Sequence, residues 1–382
     1  MNRSQDSEPI AGSFLHEAQR FISRGFSLSF KPSCVLVTGG AGFIGSNYLL
    51  RVVPRYPDTL FVNFDLLTYA GNLENLTEIE TMENYRFEKG DVADEKRVAE
   101  LFESYGFDAV VHFAAESHVD RSILDPTTFV QTNINGTLVL LRVALSNWES
   151  DFSKCRFHHV STDEVFGSLG SEGAFTLDSA YAPRSPYAAS KAAADHLVRS
   201  FGETYGLPYV LTNTSNNYGP YQFPEKLIPL VINNASLGLE IPVYGKGDNV
   251  RDWLFVDDHC EALDLVLRNG KNASTYLIGG QQESSNLDLI HILLDEYDVG
   301  TGNPSGASRD LIRFVKDRPG HDFRYAIDNS RIQVELGWTP SHDLKDGLKK
   351  TVDWYLSNEA WLKSVQDESY KSYYESQYGS RE

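Results

Sequence analysis

Cysteine is scarce. The 382 residues include 3, Cys34, Cys155 and Cys260, an odd number at wide spacing. That excludes a disulfide framework, offers no metal-ligand spacing, and points to a reducing compartment, the cytoplasm, with no metal expected. Basic charge is also short: 34 Lys and Arg stand against 53 Asp and Glu, a formal net charge of −19. Such a balance disfavours nucleic acid and anionic membrane as partners, and an anionic ligand then needs its own local basic pocket. No apolar stretch approaches the ~18 residues that a membrane-spanning helix requires, and no secretory leader with an apolar centre is visible. Repeats are absent, and the Gly/Ser/Asn stretch at 301–308 reads as a surface loop. What remains is a globular composition, 41% hydrophobic, long enough for one large core or two unequal ones.

From Ser33 onward, strand-like and helix-like segments alternate. Apolar runs at Cys34–Thr38, Leu60–Phe64, Tyr85–Phe87, Asp108–Phe113, Arg156–Val160 and Tyr209–Thr212 are separated by helical periodicity, for example at Val98–Tyr105 and Thr128–Leu145. That order predicts an α/β fold, a Rossmann-type doubly wound parallel sheet, with ligands beyond the carboxyl ends of the strands. The first strand runs into Gly39-Gly40-Ala41-Gly42-Phe43-Ile44-Gly45. Gly39 permits a tight turn, Gly42 lets backbone approach a pyrophosphate, and Gly45 lets the following helix pack closely, with its free N–H groups facing the phosphates. The second strand ends at Asp65, where a ribose-binding carboxylate belongs. Asp65 there favours NAD over NADP, a strand-end cap being the lesser alternative.

Tyr187 and Lys191 lie four apart in a strong helix-forming segment, so they share one face. An ammonium beside a phenol is expected to lower the phenol's pKa, making Tyr187 a general base toward a sugar hydroxyl as hydride leaves its carbon. Thr162-Asp163-Glu164 follows another strand end. Two adjacent carboxylates push one pKa up, which suits an acid and a base: Asp163 and Glu164, respectively. The chemistry that needs such a pair is dehydration: oxidation at sugar C4 acidifies C5–H, Glu164 removes that proton, Asp163 assists loss of the C6 hydroxyl, and hydride returns to C6. Alone, the Tyr/Lys pair also fits a surface helix, and the acidic pair a solvated loop.

These segments occur with Leu67-Thr68-Tyr69-Ala70-Gly71-Asn72, Ala115-Glu116-Ser117-His118-Val119-Asp120-Arg121-Ser122, Ser215-Asn216-Asn217-Tyr218-Gly219-Pro220, Pro224-Glu225-Lys226, Arg251-Asp252-Trp253 and Asp317-Arg318-Pro319-Gly320-His321-Asp322. Together they make the chain resemble the extended short-chain dehydrogenase/reductases, the NAD-dependent epimerase/dehydratase group, and within it the dTDP-glucose 4,6-dehydratases. The resemblance covers about Cys34 to Tyr355. It implies NAD as cofactor and dTDP-glucose, a nucleotide sugar, as substrate. Thr162, Asp163, Glu164, Tyr187 and Lys191 are then the catalytic set, with Thr162 on the sugar O4 and Lys191 on the nicotinamide. Gly39, Gly42, Phe43, Ile44, Gly45, Asp65, Asp91, Val92 and Ala114 join Tyr187 and Lys191 in holding the cofactor. Ser117, Thr162, Asn216, Glu225, Lys226, Tyr244, Arg251, Asn286, Arg318 and His321 are implied for the nucleotide sugar, and Arg251 and Arg318 also suit a pyrophosphate on charge alone. Two positions depart from the pattern: Leu66 stands where a lysine is expected, and Phe166 where a tyrosine is usual, removing a hydroxyl from the expected wall of the site.

The implied organisation is an N-terminal extension over 1–33, an NAD-binding domain over 34–216, a smaller α/β nucleotide-sugar domain over 217–360 whose chain crosses back to the first, and a tail over 361–382. Phe14, Phe21, Ile22 and Phe26 give the extension an amphipathic cast, while Asp6, Glu8 and Glu17 make it a poor transit peptide. Helices at Thr128–Leu145 and Ala188–Tyr205 have apolar positions beyond one stripe, as a homodimer would use. Other readings are a dehydratase or 4-epimerase for a UDP- or GDP-linked sugar, and a regulatory binder of NAD or nucleotide sugar without catalysis.

Overall fold

The computed structural model describes residues 29–317, 320–366 and 370. Most of the N-terminal extension, most of the tail, and Arg318 therefore lie outside the described residues.

Strands β1 (Cys34–Thr38), β2 (Leu60–Asp65), β3 (Tyr85–Lys89), β4 (Ala109–His112), β5 (Arg156–Thr162) and β6 (Tyr209–Thr214) join β10 (Ser274–Ile278) in one sheet. Its order is β10-β6-β5-β4-β1-β2-β3, and every neighbouring pair is parallel. β1, β4, β5 and β6 are buried along their whole length, as strands covered by helices on both faces must be. Helices Phe43–Arg55 and Val256–Asn269 pack on one face, and Glu95–Tyr105, Thr137–Trp148 and Pro186–Tyr205 on the other, giving two cores. This is the expected doubly wound Rossmann-type sheet, whose order reverses between β1 and β4.

A second lobe follows β6. Strands β7 (Asn216–Tyr218), β9 (Val250–Phe255) and β11 (Glu283–Ser285) form a three-stranded sheet, and β8 (Ile241–Tyr244) pairs with β12 (Ile312–Val315). Helices Leu227–Leu237, Asn286–Thr301 and Leu344–Ser357 cover them around a separate core. Between β9 and β11 the chain returns to the first sheet, contributing helix Val256–Asn269 and β10. Trp361, the first residue of the expected tail, belongs to the body: its indole donates to Asn75 Oδ1 at 2.7 Å and its ring stands against Tyr221 and Trp354. Among the described residues no helix is long and apolar enough to cross a membrane.

Candidate active site

A cavity of about 660 Å³ opens above the carboxyl ends of the parallel strands, where the strand order reverses. Its first wall is the glycine turn. Gly39 has φ +71, and a Cβ there would meet Ala114 N at 2.6 Å; a Cβ on Gly45 would fall 2.3 Å from Gly39 O. Only glycine fits either position. Helix Phe43–Arg55 starts at Gly42 with no side chain capping it, so its first N–H groups remain available to a ligand phosphate. Asp65 performs both roles open to it. Its carboxylate accepts from Ala41 N at 3.0 Å and Leu67 N at 2.8 Å, tying the turn together, while the side chain also lines the cavity with Phe43, Ile44, Asp91, Val92, Ala114 and Ser117.

The opposite wall brings together Thr162, Asp163, Glu164, Tyr187 and Lys191. β5 delivers the first three: at its end Thr162 Oγ1 accepts from Glu164 N at 3.3 Å, capping a short 3₁₀ turn over Asp163–Phe166. The helix Pro186–Tyr205 delivers the other two. Ser185 caps it by accepting from Ala188 N, Pro186 opens it, and left-handed Gly206 closes it. Thr162 stands beside the Tyr187 phenol and favours its ionised form, against the larger effects of burial and the Glu164 charge.

The adjacent carboxyls differ in setting. Asp163 is 2% exposed and Glu164 only half-buried. Burial first, and then the charges of Glu164 and Asp252, hold the Asp163 carboxyl well above the usual range. That direction is the one an acid requires. Tyr187 corrects an expectation: burial and the charge of Glu164 push its phenol up rather than down. Lys191 instead donates to Val160 O at 2.8 Å, and burial lowers its own pKa to about 8. Buried polar atoms of the cavity lining, among them Ser161 Oγ, Asp163 Oδ2, Asn216 Oδ1 and Asn217 Oδ1, have no protein partner.

Comparison with known proteins decides what this arrangement is. Residues 36–351 match the family model described as GDP-mannose 4,6 dehydratase. The chain is 50% identical to a dTDP-glucose 4,6-dehydratase of Salmonella typhimurium over 91% of its length and 99% of the relative's. It is 52% identical to one of Xanthomonas campestris pv. campestris, over 88% and 97%. The chain belongs to the 4,6-dehydratase family. Among solved structures, a dTDP-glucose 4,6-dehydratase from Streptomyces venezuelae, with NAD and TYD bound, superposes with a TM-score of 0.80 at 45% identity, covering 87% of this chain and 99% of that one. A UDP-glucose 4-epimerase from Thermotoga maritima shares the fold at a TM-score of 0.75 and 27% identity.

As a 4,6-dehydratase the chain spreads its implied substrate residues over two places. Asn216 and Lys226 reach the cavity beside Ser117, and Lys226 Nζ donates to Ser117 O at 2.9 Å. Lys191 and Lys226 are the cationic side chains of the wall. Glu225, Tyr244, Arg251, Asn286 and His321 stand outside it. Glu225 is buried between the Tyr69 hydroxyl at 2.9 Å and Arg121 Nε at 3.0 Å. Tyr244 donates to Asp120 and its ring lies 6.2 Å from that of His321. Asn286 begins a helix. Arg251 donates to the carbonyls of Val250, Asp322 and Phe323. Phe166 also faces elsewhere: it packs on Phe175 and Tyr181, away from the cavity, so its missing hydroxyl is no loss to that wall. Leu66 lies at the cavity mouth, 43% exposed.

Two supporting residues escaped the sequence reading. Asn133 accepts from Glu116 N and donates to Glu116 O and Ser190 Oγ, locking the exit of β4 onto the catalytic helix. It sits in a π-helical stretch, Val130–Gly136, which breaks the periodicity that would have marked it. Asp195, 0% exposed, lies one turn past Lys191 and was legible only as an i,i+4 neighbour.

Proposed function

We propose that the chain converts dTDP-glucose to dTDP-4-keto-6-deoxyglucose and water, with NAD recycled in each turnover. The carrying observation is Asp163, buried with its carboxyl held well above the usual range, beside half-buried Glu164 in the cavity that also holds Tyr187 and Lys191. The fit to NAD rests on the glycine turn no side chain could occupy, the uncapped helix start and Asp65 at the strand end. When bound, NAD supplies a hydride acceptor and donor at the sugar face, and a positive charge that favours the phenolate. The protein's groups do the rest. Thr162 and Tyr187 hold the sugar O4, and Tyr187 takes its proton; Lys191 orients the nicotinamide ribose. Glu164 removes the C5 proton once C4 is a ketone, and Asp163 gives its proton to the departing C6 hydroxyl, breaking C6–O with release of water; as the hydride taken from C4 returns to C6, Glu164 gives a proton back to C5. Lys226, Ser117 and Asn216 support the diphosphate end, with Glu225, Arg251, Asn286, Arg318, His321 and Tyr244 assigned to the outer nucleotide site through the family resemblance.

Two copies are proposed to pair through the helices over 126–148 and 186–205, where Val130 and Tyr205 are exposed, and the assembly is assigned to the cytoplasm. The test is mass spectrometry of dTDP-glucose incubated with the purified protein in deuterated water without added cofactor. Loss of water with one deuterium at C5 supports the proposal and reveals resident NAD. An unchanged sugar, with NAD then added, overturns it.

A further inference from the structure

The helix that bears Tyr187 and Lys191 carries a third ionisable group on the same side. The carboxylate of Asp195 is fully enclosed, with its Oδ2 accepting from the Tyr181 hydroxyl at 2.7 Å and from Asn213 Nδ2 at 3.0 Å. His159 Nε2 lies 3.1 Å from its Oδ1. The same Asn213 amide donates to Thr162 O at 3.0 Å, so one side chain joins this carboxylate to the strand end from which Asp163 and Glu164 emerge. An anion this deep is tolerated only when it serves a cation or several donors. Here it has both.

We infer that Asp195 is a positioning residue of the reaction: its buried carboxylate stands one helical turn from Lys191 as the counter-charge on that face and, through Asn213, holds the Thr162 backbone at the strand end. The groups facing this pair come from every neighbouring element. His112 on β4 and His159 on β5 are neutral, each lowered by burial. Tyr181 is a neutral phenol, and Arg199, one turn farther along the helix, donates to the Tyr181 hydroxyl at 2.8 Å. Burial pulls Lys191 down, and Asp195 is the charge that opposes it. Burial pushes Asp195 up, but His159, Lys191 and Tyr181 together bring it below the usual carboxylate range, so it stays ionised across the working pH range. Removing its charge lowers the lysine further, and the ammonium is then lost at a lower pH.

This inference rests on the dehydratase reading. Wild-type turnover of dTDP-glucose separates the two: no turnover sinks the reading, whereas turnover insensitive to residue 195 sinks only the inference. The holoenzyme variants Asp195→Asn and Asp195→Ser, two uncharged shapes, are compared with Asp195→Glu. In both uncharged variants the alkaline limb of kcat/KM moves down by about one pH unit, the size of an ordinary buried-charge effect. NAD retained after ultrafiltration falls off from a correspondingly lower pH, a readout independent of turnover. Asp195→Glu keeps both near wild type. In a Lys191→Arg background, where residue 191 cannot lose its charge, Asp195→Asn moves neither. A merely structural role lowers rates evenly at all pH values. Unmoved limbs, or uncharged variants that do not fold while Asp195→Glu does, overturn the inference.

Discussion

The two lobes spend their polar groups differently. Above the seven-stranded sheet, hydrogen-bonding capacity is left open to the cavity: an uncapped helix start, and unpartnered atoms on Ser161 and Asp163. In the smaller lobe the named residues are largely committed to the protein itself. Arg251 holds three carbonyls and stacks 4.3 Å from the Tyr325 ring, and Glu225 holds Tyr69 and Arg121. Parallel strands aim their ends at one place, so the first lobe can leave groups unspent without unravelling. The smaller lobe has short strands of 3, 4, 3 and 4 residues in β7, β8, β11 and β12, and uses side chains to hold its loops.

The contrast is sharpened most by the acid and base. Glu164→Gln abolishes deuterium exchange at C5 and lowers turnover by about 10³-fold, whereas Asp163→Asn retains C5 exchange while water loss slows by about 10²–10³-fold, within the range for a positioned acid or base. Proton exchange followed by NMR in deuterated water reads both, and equal exchange in the two variants would erase the division of labour. Gly45→Ala comes next. Its Cβ, 2.3 Å from Gly39 O, forces the turn apart at a cost of about 1–3 kcal/mol, so NAD retention weakens roughly tenfold to a hundredfold with little change in substrate KM at saturating NAD. Retention equal to wild type would show that the turn does not cradle the cofactor.

The smallest effect belongs to the second lobe. Arg251→Lys loses bonds to buried carbonyls and destabilises by about 2 kcal/mol, read as a lower thermal midpoint with NAD retention unchanged. An unaltered midpoint would show that these bonds do not hold the lobe together, and break the contrast.

What could be read in the sequence follows the same division. The glycine turn, Asp65, Thr162-Asp163-Glu164 and the Tyr187/Lys191 pair are local: each depends on a strand end or on helical spacing within a few residues, and all of them line one cavity. Asp195 and Asn133 act through contacts with β5, β6 and the β4 exit, 17 to 57 positions away in the chain, which periodicity does not encode. For Tyr187, spacing shows Lys191 as a neighbour but not the burial and the Glu164 charge that raise its phenol. Arg251 suits a pyrophosphate on charge alone, and the carbonyls that it also holds are visible only in the fold.

One feature of the topology concerns how the molecule is made. Helix Phe43–Arg55 is covered by helix Val256–Asn269, sealed where the Tyr56 hydroxyl meets Asp264 at 2.6 Å and Arg55 meets it at 3.4 Å. Ribosomes deliver about 5–20 residues per second, so this apolar flank of the nucleotide-binding half waits on the order of tens of seconds for its cover. During that interval the newborn chain presents a sticky, half-roofed sheet whose last strand, β10, does not yet exist, and it is then that a chaperone has a surface to hold.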